Sequence, residues 1–158
     1  MANAKERTLI ILKPDSLQRG FLGEIIHRFE RKGIKIVGLK MNKLSDMLLD
    51  DHYAQHKGKH FFEPTKGYMK MLPVVLVVLE GLEVVRVARA MCGPTDGRNA
   101  PPGTIRGDFS MAISRNIIHS SEDEQSANRE INIYFKSDEL FEYDRPDAHF
   151  YFDVERGE

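Results

Sequence analysis

The sequence contains one cysteine, Cys92, among its 158 residues, so no disulfide can form within the chain. It contains no apolar run longer than the six residues 74–79, whereas a membrane-spanning helix needs about 20. Residues 1–7 hold no hydrophobic core of the kind that a secretory signal requires. These absences predict a cytoplasmic protein without a membrane anchor, in a compartment that keeps thiols reduced.

Neither charge is in excess, since 23 Lys and Arg residues stand against 24 Asp and Glu residues, for a formal net charge of −1. Proteins whose main task is to bind nucleic acid usually carry a basic surplus, so the charge argues against nucleic acid as a partner. The chain also lacks a P-loop, a dinucleotide-binding glycine pattern, the protein-kinase motifs and any Cys-x-x-Cys pair. Any chemistry on phosphates must therefore use another arrangement of residues.

Apolar patterning divides the chain into short strands and amphipathic helices, and the length predicts a single domain over residues 1–158. Strands are predicted at residues 8–12, 34–41, 74–79 and 117–119, the third of them central and buried on both faces. Helices are predicted at residues 21–32, 45–53, 61–71 and 83–91, with another that starts from a capping box at Ser121. This order predicts a ferredoxin-like α/β sandwich, a four-stranded antiparallel sheet with helices on one face.

Residues 93–107 form the longest stretch without a periodic pattern, and they include four glycines and three prolines. A structureless loop of this length in a compact domain is usually functional or disordered. Within it Arg106 precedes a glycine on a stretch that prolines stiffen, which suits bidentate binding of phosphate. Arg89, on the helix that leads into the loop, and Thr95 could face the same anion, although each alone resembles an ordinary surface residue. Residues after Leu140 show no assignable pattern.

His119 lies just before a predicted helix N-terminus, among the polar residues of segment 115–123. A neutral imidazole can act as nucleophile or base, and the free N–H groups of a helix N-terminus attract an anion. A lone histidine more often only completes a hydrogen bond, so the prediction depends on the residues around it. Lys13 follows a buried strand, where α/β proteins commonly bind ligands, and Tyr53 or Phe61 could contact a planar base.

Three other histidines, His52, His56 and His60, recur at intervals of four residues. On one continuous helix they would line a single face and could bind a metal ion. Gly58 and the aromatic pair at 61–62 argue against a continuous helix, so surface histidines are the competing interpretation. Cys92 is predicted to be buried and inert.

Together these segments resemble the nucleoside diphosphate kinase family, from about residue 7 to residue 143. The resemblance rests on residues 8–20, 52–62, 73–81, 103–109 and 115–121, and its most specific element is Asn-x-x-His-x-Ser preceded by Thr-Ile-Arg-Gly-Asp. It implies a ferredoxin-like core with a long nucleotide-side loop at residues 93–117. It also implies transfer of the terminal phosphate of a nucleoside triphosphate, typically ATP, to a nucleoside diphosphate, in a ping-pong reaction through a phosphohistidine.

The resemblance assigns roles to individual residues. It makes His119 the nucleophile through Nδ1, Glu130 the carboxylate that orients the ring, and Ser121 a hydrogen-bond partner of that carboxylate. Phe61 matches the aromatic residue on which the base stacks. The groups around the phosphates and ribose match Lys13, Tyr53, Arg89, Thr95, Arg106 and Asn116. Mg²⁺ would arrive on the nucleotide phosphates without dedicated protein ligands, and the family's assembly implies a homo-hexamer or homo-tetramer.

The sequence departs from the family pattern near the expected site. Thr65 replaces a large aliphatic residue beside the base, Ser120 replaces the usual glycine after the nucleophile, Glu122 stands where aspartate is common, and Pro94 stiffens the loop. Ser120 could crowd His119 or add a hydrogen bond, and Thr65 could weaken base binding. These departures leave an alternative open, a catalytically weak family member that acts as a nucleotide-binding scaffold or regulator.

Overall fold

The computed structural model describes residues 5–153, and within them each predicted strand and helix overlaps an observed one. The strands are β1 (Glu6–Leu12), β2 (Lys35–Asn42), β3 (Val74–Gly81) and β4 (Ile118–Ser120). The helices are α1 (Pro14–Gln18), α2 (Leu22–Arg31), α3 (Asp46–His52), α4 (Phe62–Lys70), α5 (Val84–Cys92), α6 (Ile105–Phe109) and α7 (Glu124–Tyr134). Short 3₁₀ helices occur at Ala54–His56, Gly97–Asn99, Ser137–Glu139 and Ala148–Phe150. No helix in this part of the chain is both long and apolar enough to cross a membrane.

The strands form one antiparallel sheet in the order β2–β3–β1–β4. β1 and β3 occupy its centre, and the first seven residues of β3 are all buried, as its unbroken apolar run predicted. β4 pairs with β1 at one edge, and this pairing sets His119 opposite Ile11. The predicted class, a ferredoxin-like α/β fold with a four-stranded antiparallel sheet, is confirmed.

Helices cover both faces of the sheet rather than one, which corrects that part of the prediction. Alternate residues of a strand point to opposite sides of the sheet. Ile10 and Leu12 of β1 pack with α2 and α5, whereas Leu9 and Ile11 pack with α3, α4 and α7. Because β1 and β3 are apolar at consecutive positions, helices on one face alone would leave half of these side chains in water.

The last long helix, α7, begins two residues later than the capping box predicted. Asp123 rather than Ser121 is its N-cap, and the Asp123 carboxylate accepts a hydrogen bond from the Ser126 N–H at 2.7 Å. Ser121 cannot serve as the cap because it is completely buried and its backbone N–H donates to the carbonyl oxygen of Leu9 at 3.2 Å. Its side chain therefore faces the protein interior.

The stretch rich in glycine and proline has regular structure, contrary to the expectation of an irregular loop. It contains a 3₁₀ helix and the start of α6, whose N-cap Thr104 accepts a hydrogen bond from the Gly107 N–H at 3.0 Å. A Cβ at position 107 would collide with the carbonyl oxygen of Pro101, so glycine is required there. Beyond Leu140, where the sequence showed no pattern, the Tyr143 hydroxyl donates to the carbonyl oxygen of Ile36 on β2 at 2.6 Å.

Candidate active site

A cavity of about 620 Å³ lies at the end of β4, between α7 and the loop that follows α5. Nine of the ten predicted site residues line it, and they come from distant parts of the chain: Lys13, Tyr53, Phe61, Arg89, Thr95, Arg106, Asn116, His119 and Glu130. The tenth, Ser121, lies behind Glu130 and contacts its carboxylate. The fold therefore brings all ten together.

His119 and Glu130 form a hydrogen-bonded pair in the cavity wall. His119 Nε2 and Glu130 Oε2 are 2.9 Å apart, and the Ser121 hydroxyl donates to the same carboxylate oxygen at 2.7 Å. Burial alone would raise the pKa of Glu130, but the hydrogen bond and electrostatic interaction with His119 outweigh burial and lower that pKa to about 2. An ionised carboxylate only accepts hydrogen bonds, so Nε2 carries the hydrogen and Nδ1 keeps a free lone pair. An imidazole in this form can act as a nucleophile.

Lys13 leaves the end of β1 and reaches the cavity. Its Nζ donates to Asn116 Oδ1 at 2.7 Å, and the Asn116 amide donates to two loop carbonyl oxygens, including that of Thr95, at 3.0 Å. Burial and the neighbouring Arg106 lower the pKa of Lys13 to about 8, against the opposing effect of the Asp15 carboxylate. The ammonium group is therefore charged at pH 7 but poorly solvated, which strengthens its attraction for an anion.

Arg106 is buried on α6, and two backbone carbonyl groups hold its guanidinium. Nη1 donates to the oxygen of Gly93 and Nη2 to that of Ile118, both at 2.7 Å, whereas the Nε atom is buried without a partner among the described residues. Burial lowers the pKa of Arg106, but an arginine stays charged at physiological pH. Arg89 reaches the same region from α5, and its Nη1 donates to the backbone carbonyl oxygen of Ser121 at 3.5 Å. Lys13, Arg89 and Arg106 make up what we call the cationic part of the cavity.

A second region of the cavity is aromatic and more open to solvent. Phe61 is 39% exposed, and the rings of His56 and His60 lie edge-on to it at centroid distances of 5.4 and 5.5 Å. We call these three residues the aromatic part, and Thr65 lines the cavity with them. Tyr53 joins the two parts, and burial raises the pKa of its hydroxyl, which therefore stays protonated.

His52 belongs to the site through a contact with His119 that the sequence analysis did not predict. It is 2% exposed at the end of α3, and its ring meets the His119 ring edge-on with centroids 4.7 Å apart. Burial, together with His119 and Arg129, lowers the pKa of His52 to about 3, so its ring is neutral. Its position three residues after the buried Leu49 was the available sequence signal, because residues at that spacing share a helix face.

The metal site considered for His52, His56 and His60 is not formed. α3 ends at His52, and His56 lies in a separate 3₁₀ helix, so the three rings do not line one continuous helix face. Among the described residues, the group compact enough to share an ion is His52, His119 and Glu130, whose ligand atoms lie within 4.8 Å of one another. Two of its three members already form the pair described above.

Ser120 follows His119 on β4, and both residues line the cavity. Successive strand residues point to opposite faces, so the Ser120 side chain leaves β4 on the face opposite to the His119 ring, where its hydroxyl interacts with the Cys92 thiol. Cys92 is buried, as predicted, and burial raises the pKa of its thiol, which therefore stays protonated.

A ferredoxin-like sheet that places a carboxylate-bound histidine in one cavity with three cations defines a class of protein that handles phosphate-bearing ligands. The family model described as "Nucleoside diphosphate kinase" matches residues 6–140. The chain belongs to the nucleoside diphosphate kinase family, and the resemblance stated from its sequence motifs is confirmed.

Relatives and solved structures agree with this assignment. The nucleoside diphosphate kinase of Pyrococcus abyssi is 50% identical over 152 residues, which cover 94% of this chain and 96% of that protein. That of Pelotomaculum thermopropionicum is 54% identical over 138 residues, which cover 87% and 93%. A halophilic nucleoside diphosphate kinase from Halobacterium salinarum in complex with CDP has a TM-score of 0.92 at 40% identity, covering 95% of this chain and 100% of that chain. A transition state mimic of the Borrelia burgdorferi enzyme with vanadate and ADP has a TM-score of 0.86 at 37% identity, covering 94% and 98%.

Proposed function

We propose that this chain is an active nucleoside diphosphate kinase, which transfers the terminal phosphate of a nucleoside triphosphate, typically ATP, to a nucleoside diphosphate. The pair of His119 and Glu130 carries this proposal, because it leaves Nδ1 with a free lone pair in a cavity that also holds three cations. The proposal is supported by relatives named nucleoside diphosphate kinase, which are 50% and 54% identical over most of the chain.

In the first half-reaction, Nδ1 of His119 attacks the terminal phosphorus of the triphosphate. The N–P bond forms, the bond from that phosphorus to the bridging oxygen breaks, and the nucleoside diphosphate leaves with the bond's electron pair. Glu130 stays ionised and holds the Nε2–H, which stabilises the positive charge that the ring gains. In the second half-reaction, a terminal phosphate oxygen of another diphosphate attacks the phosphohistidine, and the broken N–P bond restores the neutral ring.

The cationic part provides the charge that this transfer requires. Phosphoryl transfer spreads negative charge over three oxygens and is accelerated mainly by positioning and electrostatic stabilisation. Lys13, Arg89 and Arg106 would contact these oxygens. Tyr53, Thr95 and Asn116 complete the surroundings of the phosphates and ribose.

Mg²⁺ would reach the site on the nucleotide phosphates. It prefers oxygen ligands and usually keeps several waters. The close group of His52, His119 and Glu130 does not suit it, because two of the three ligands are nitrogens. Glu122 is an exposed carboxylate in the cavity wall and would face such an ion through its waters. When bound, Mg²⁺ offsets the charge of the phosphates.

The base would stack on Phe61 in the aromatic part. Stacking tolerates every base because each has a π-face. The site therefore favours a kinase that accepts many nucleotides over one that reads a single base.

We also propose that the chain forms a homo-oligomer through β2. This strand lies at the edge of the sheet, and Leu39 and Met41 on it are 54% and 60% exposed. Exposed apolar side chains on an edge strand favour association with a second copy. Light scattering after gel filtration distinguishes a hexamer from a tetramer, and a monomer would contradict the proposal. A cytoplasmic location is supported by the lone, buried cysteine.

The experiment that tests the reaction is labelling with γ-labelled ATP and Mg²⁺ in the absence of an acceptor. We expect label on the protein that is stable to alkali, labile to acid and transferred to added GDP. His119→Ala should abolish the label, whereas His27→Ala, which changes an exposed histidine on α2, should not. Folded protein that binds ATP without becoming labelled would support the scaffold alternative instead.

A further inference from the structure

Ile117 has a backbone conformation that a β-branched residue rarely adopts. Its φ is +74°, in the left-handed region. The Ile118 N–H donates to the carbonyl oxygen of Asn116 at 2.8 Å, which closes a three-residue turn around Ile117. A positive φ inside such a bond is typical of the rare, strained form of the γ-turn. Strain of this kind persists only where surrounding contacts enforce it.

Two hydrogen bonds from the segment after β1 hold Ile117 in place. The Lys13 N–H donates to the Ile117 carbonyl oxygen at 2.9 Å, and the Ile117 N–H donates to Asp15 Oδ2 at 3.0 Å. The first bond joins two backbone groups, so almost any sequence could make it. The second depends on one carboxylate, 102 positions away along the chain.

Apart from Ile117, the Asp15 carboxylate interacts with the Tyr68 hydroxyl and, electrostatically, with the Lys13 ammonium group. Its Oδ1 is buried without a partner among the described residues, and its backbone N–H donates to the Tyr68 hydroxyl at 3.3 Å. A buried oxygen without a partner is unfavourable. A carboxylate in the first turn of α1 also interacts favourably with the helix N-terminus, which is the competing structural role.

The turn at Ile117 joins the groups on which the proposed reaction depends. On one side of the turn, Asn116 Oδ1 accepts a hydrogen bond from the Lys13 ammonium group at 2.7 Å. On the other side, the Ile118 carbonyl oxygen accepts from Arg106 at 2.7 Å, and His119 is the next residue. A relaxed turn would therefore move the nucleophile and two phosphate-binding groups relative to one another.

We propose that Asp15 is a positioning residue for phosphoryl transfer, whose carboxylate keeps the strained turn at Ile117 closed and so aligns His119 with the cationic part of the cavity. This proposal rests on the function proposed above. Asp15 is not among the residues that line the cavity, so its loss should slow the chemical step more than it weakens nucleotide binding.

The test compares Asp15→Ala and Asp15→Asn with Tyr68→Phe as the matched control. The asparagine oxygen can still accept from the Ile117 N–H, whereas alanine cannot. We measure the single-turnover rate of phosphorylation by ATP and Mg²⁺, the dissociation constant for ADP, and the thermal unfolding temperature. Asp15→Ala should slow phosphorylation about 100-fold, since small displacements of reacting groups have effects of that size. Its ADP affinity should change by less than about threefold, and Asp15→Asn and Tyr68→Phe should stay within about fivefold of wild type in rate.

An Asp15→Ala rate close to wild type would overturn the proposal. Equal losses in the alanine and asparagine variants would also overturn it, since the charge at α1 would then matter rather than the acceptor. If the alanine variant does not fold, the proposal is tested by the rate of hydrogen exchange at the Ile117 backbone N–H in the wild-type and Asp15→Asn proteins. Protection in both supports the proposal, and rapid exchange in the wild type contradicts it. Wild-type labelling that His119→Ala removes, measured alongside, keeps a failure here distinct from a failure of the proposed function.

Discussion

The cationic and aromatic parts of the cavity hold their side chains in different ways. In the cationic part, Lys13 donates a hydrogen bond of 2.7 Å to the side-chain oxygen of Asn116. Arg106 donates two bonds of the same length to backbone carbonyl oxygens. In the aromatic part, Phe61 contacts two histidine rings edge-on at more than 5 Å between centroids, and it stays partly exposed. One part therefore has charges held by short hydrogen bonds, whereas the other has looser ring contacts and a neighbouring lysine, Lys59, whose Nζ lies 3.1 Å from His56 Nδ1 and 5.7 Å from the Phe61 centroid.

This difference matches the chemistry of the proposed substrates. All nucleoside triphosphates share the same phosphates, so rigid charges can serve every one of them. The bases differ in their hydrogen-bonding edges but share a flat face, so a stacking surface discriminates little among them. We expect changes in the cationic part to lower kcat for all nucleotides, and changes in the aromatic part to alter KM.

The largest expected effect comes from Arg106→Lys. An ammonium group cannot donate to Gly93 and Ile118 in the forked geometry of the guanidinium, so the charge would no longer be held in place. We expect kcat to fall about 10²- to 10³-fold, the range for loss of one preorganised charge-stabilising donor. Steady-state assays with ATP and several diphosphate acceptors measure it. Arg98→Lys, at an exposed arginine in the same loop, is the control, and a loss that depended on the base would contradict the division of roles.

The second effect is a fall in activity at alkaline pH. The pKa of Lys13 is about 8, so raising the pH above that value removes the charge of its ammonium group. We expect kcat/KM to fall about tenfold per pH unit above that value. In the Lys13→Arg variant, kcat/KM should no longer fall at alkaline pH, even if the variant is slower at pH 7, because arginine stays charged in this pH range. The same alkaline limb in both proteins would show that another group is responsible.

A smaller effect is expected from Phe61→Ala. Loss of a stacking partner weakens binding by about 1–3 kcal/mol per base, and the partial exposure of Phe61 favours the lower end of that range. We therefore expect KM to rise about five- to tenfold for purine and pyrimidine nucleotides, with kcat little changed. Phe61→Trp keeps the stacking surface and should stay near wild type. A loss confined to kcat would place Phe61 in the reaction rather than in base binding.

The smallest expected effect is from Thr65→Leu, which restores the aliphatic residue usual in the family. The added apolar surface beside the base should lower KM by about fourfold, the gain from burying about one methylene group. Thr65→Val serves as the control, since it removes the hydroxyl at nearly constant volume. An improvement from valine equal to that from leucine would identify the hydroxyl, rather than the missing volume, as the cause.

Local patterns in the sequence predicted the elements and many site residues. The unbroken apolar run of β3 predicted a central strand, because a strand covered on both faces needs apolar residues at every position. Arg106, Asn116 and His119 lie within short motifs, so the resemblance could assign them without knowledge of the fold. Glu130 could be assigned only by resemblance, since a carboxylate on a helix has no spacing that distinguishes it from a solvated one.

The sequence by itself determined the strands, most helices and the family, and it predicted the groups assigned to the reaction, because these depend on periodicity and short motifs. Tertiary structure decided which groups meet. It decided between the two roles predicted for Ser121, helix cap and partner of Glu130, in favour of the second. It buried His52 against His119 and joined Asp15 to Ile117. It also placed helices on both faces of the sheet. Each of these contacts joins separate elements, and a spacing pattern records only which side of one element is buried, not which neighbour buries it.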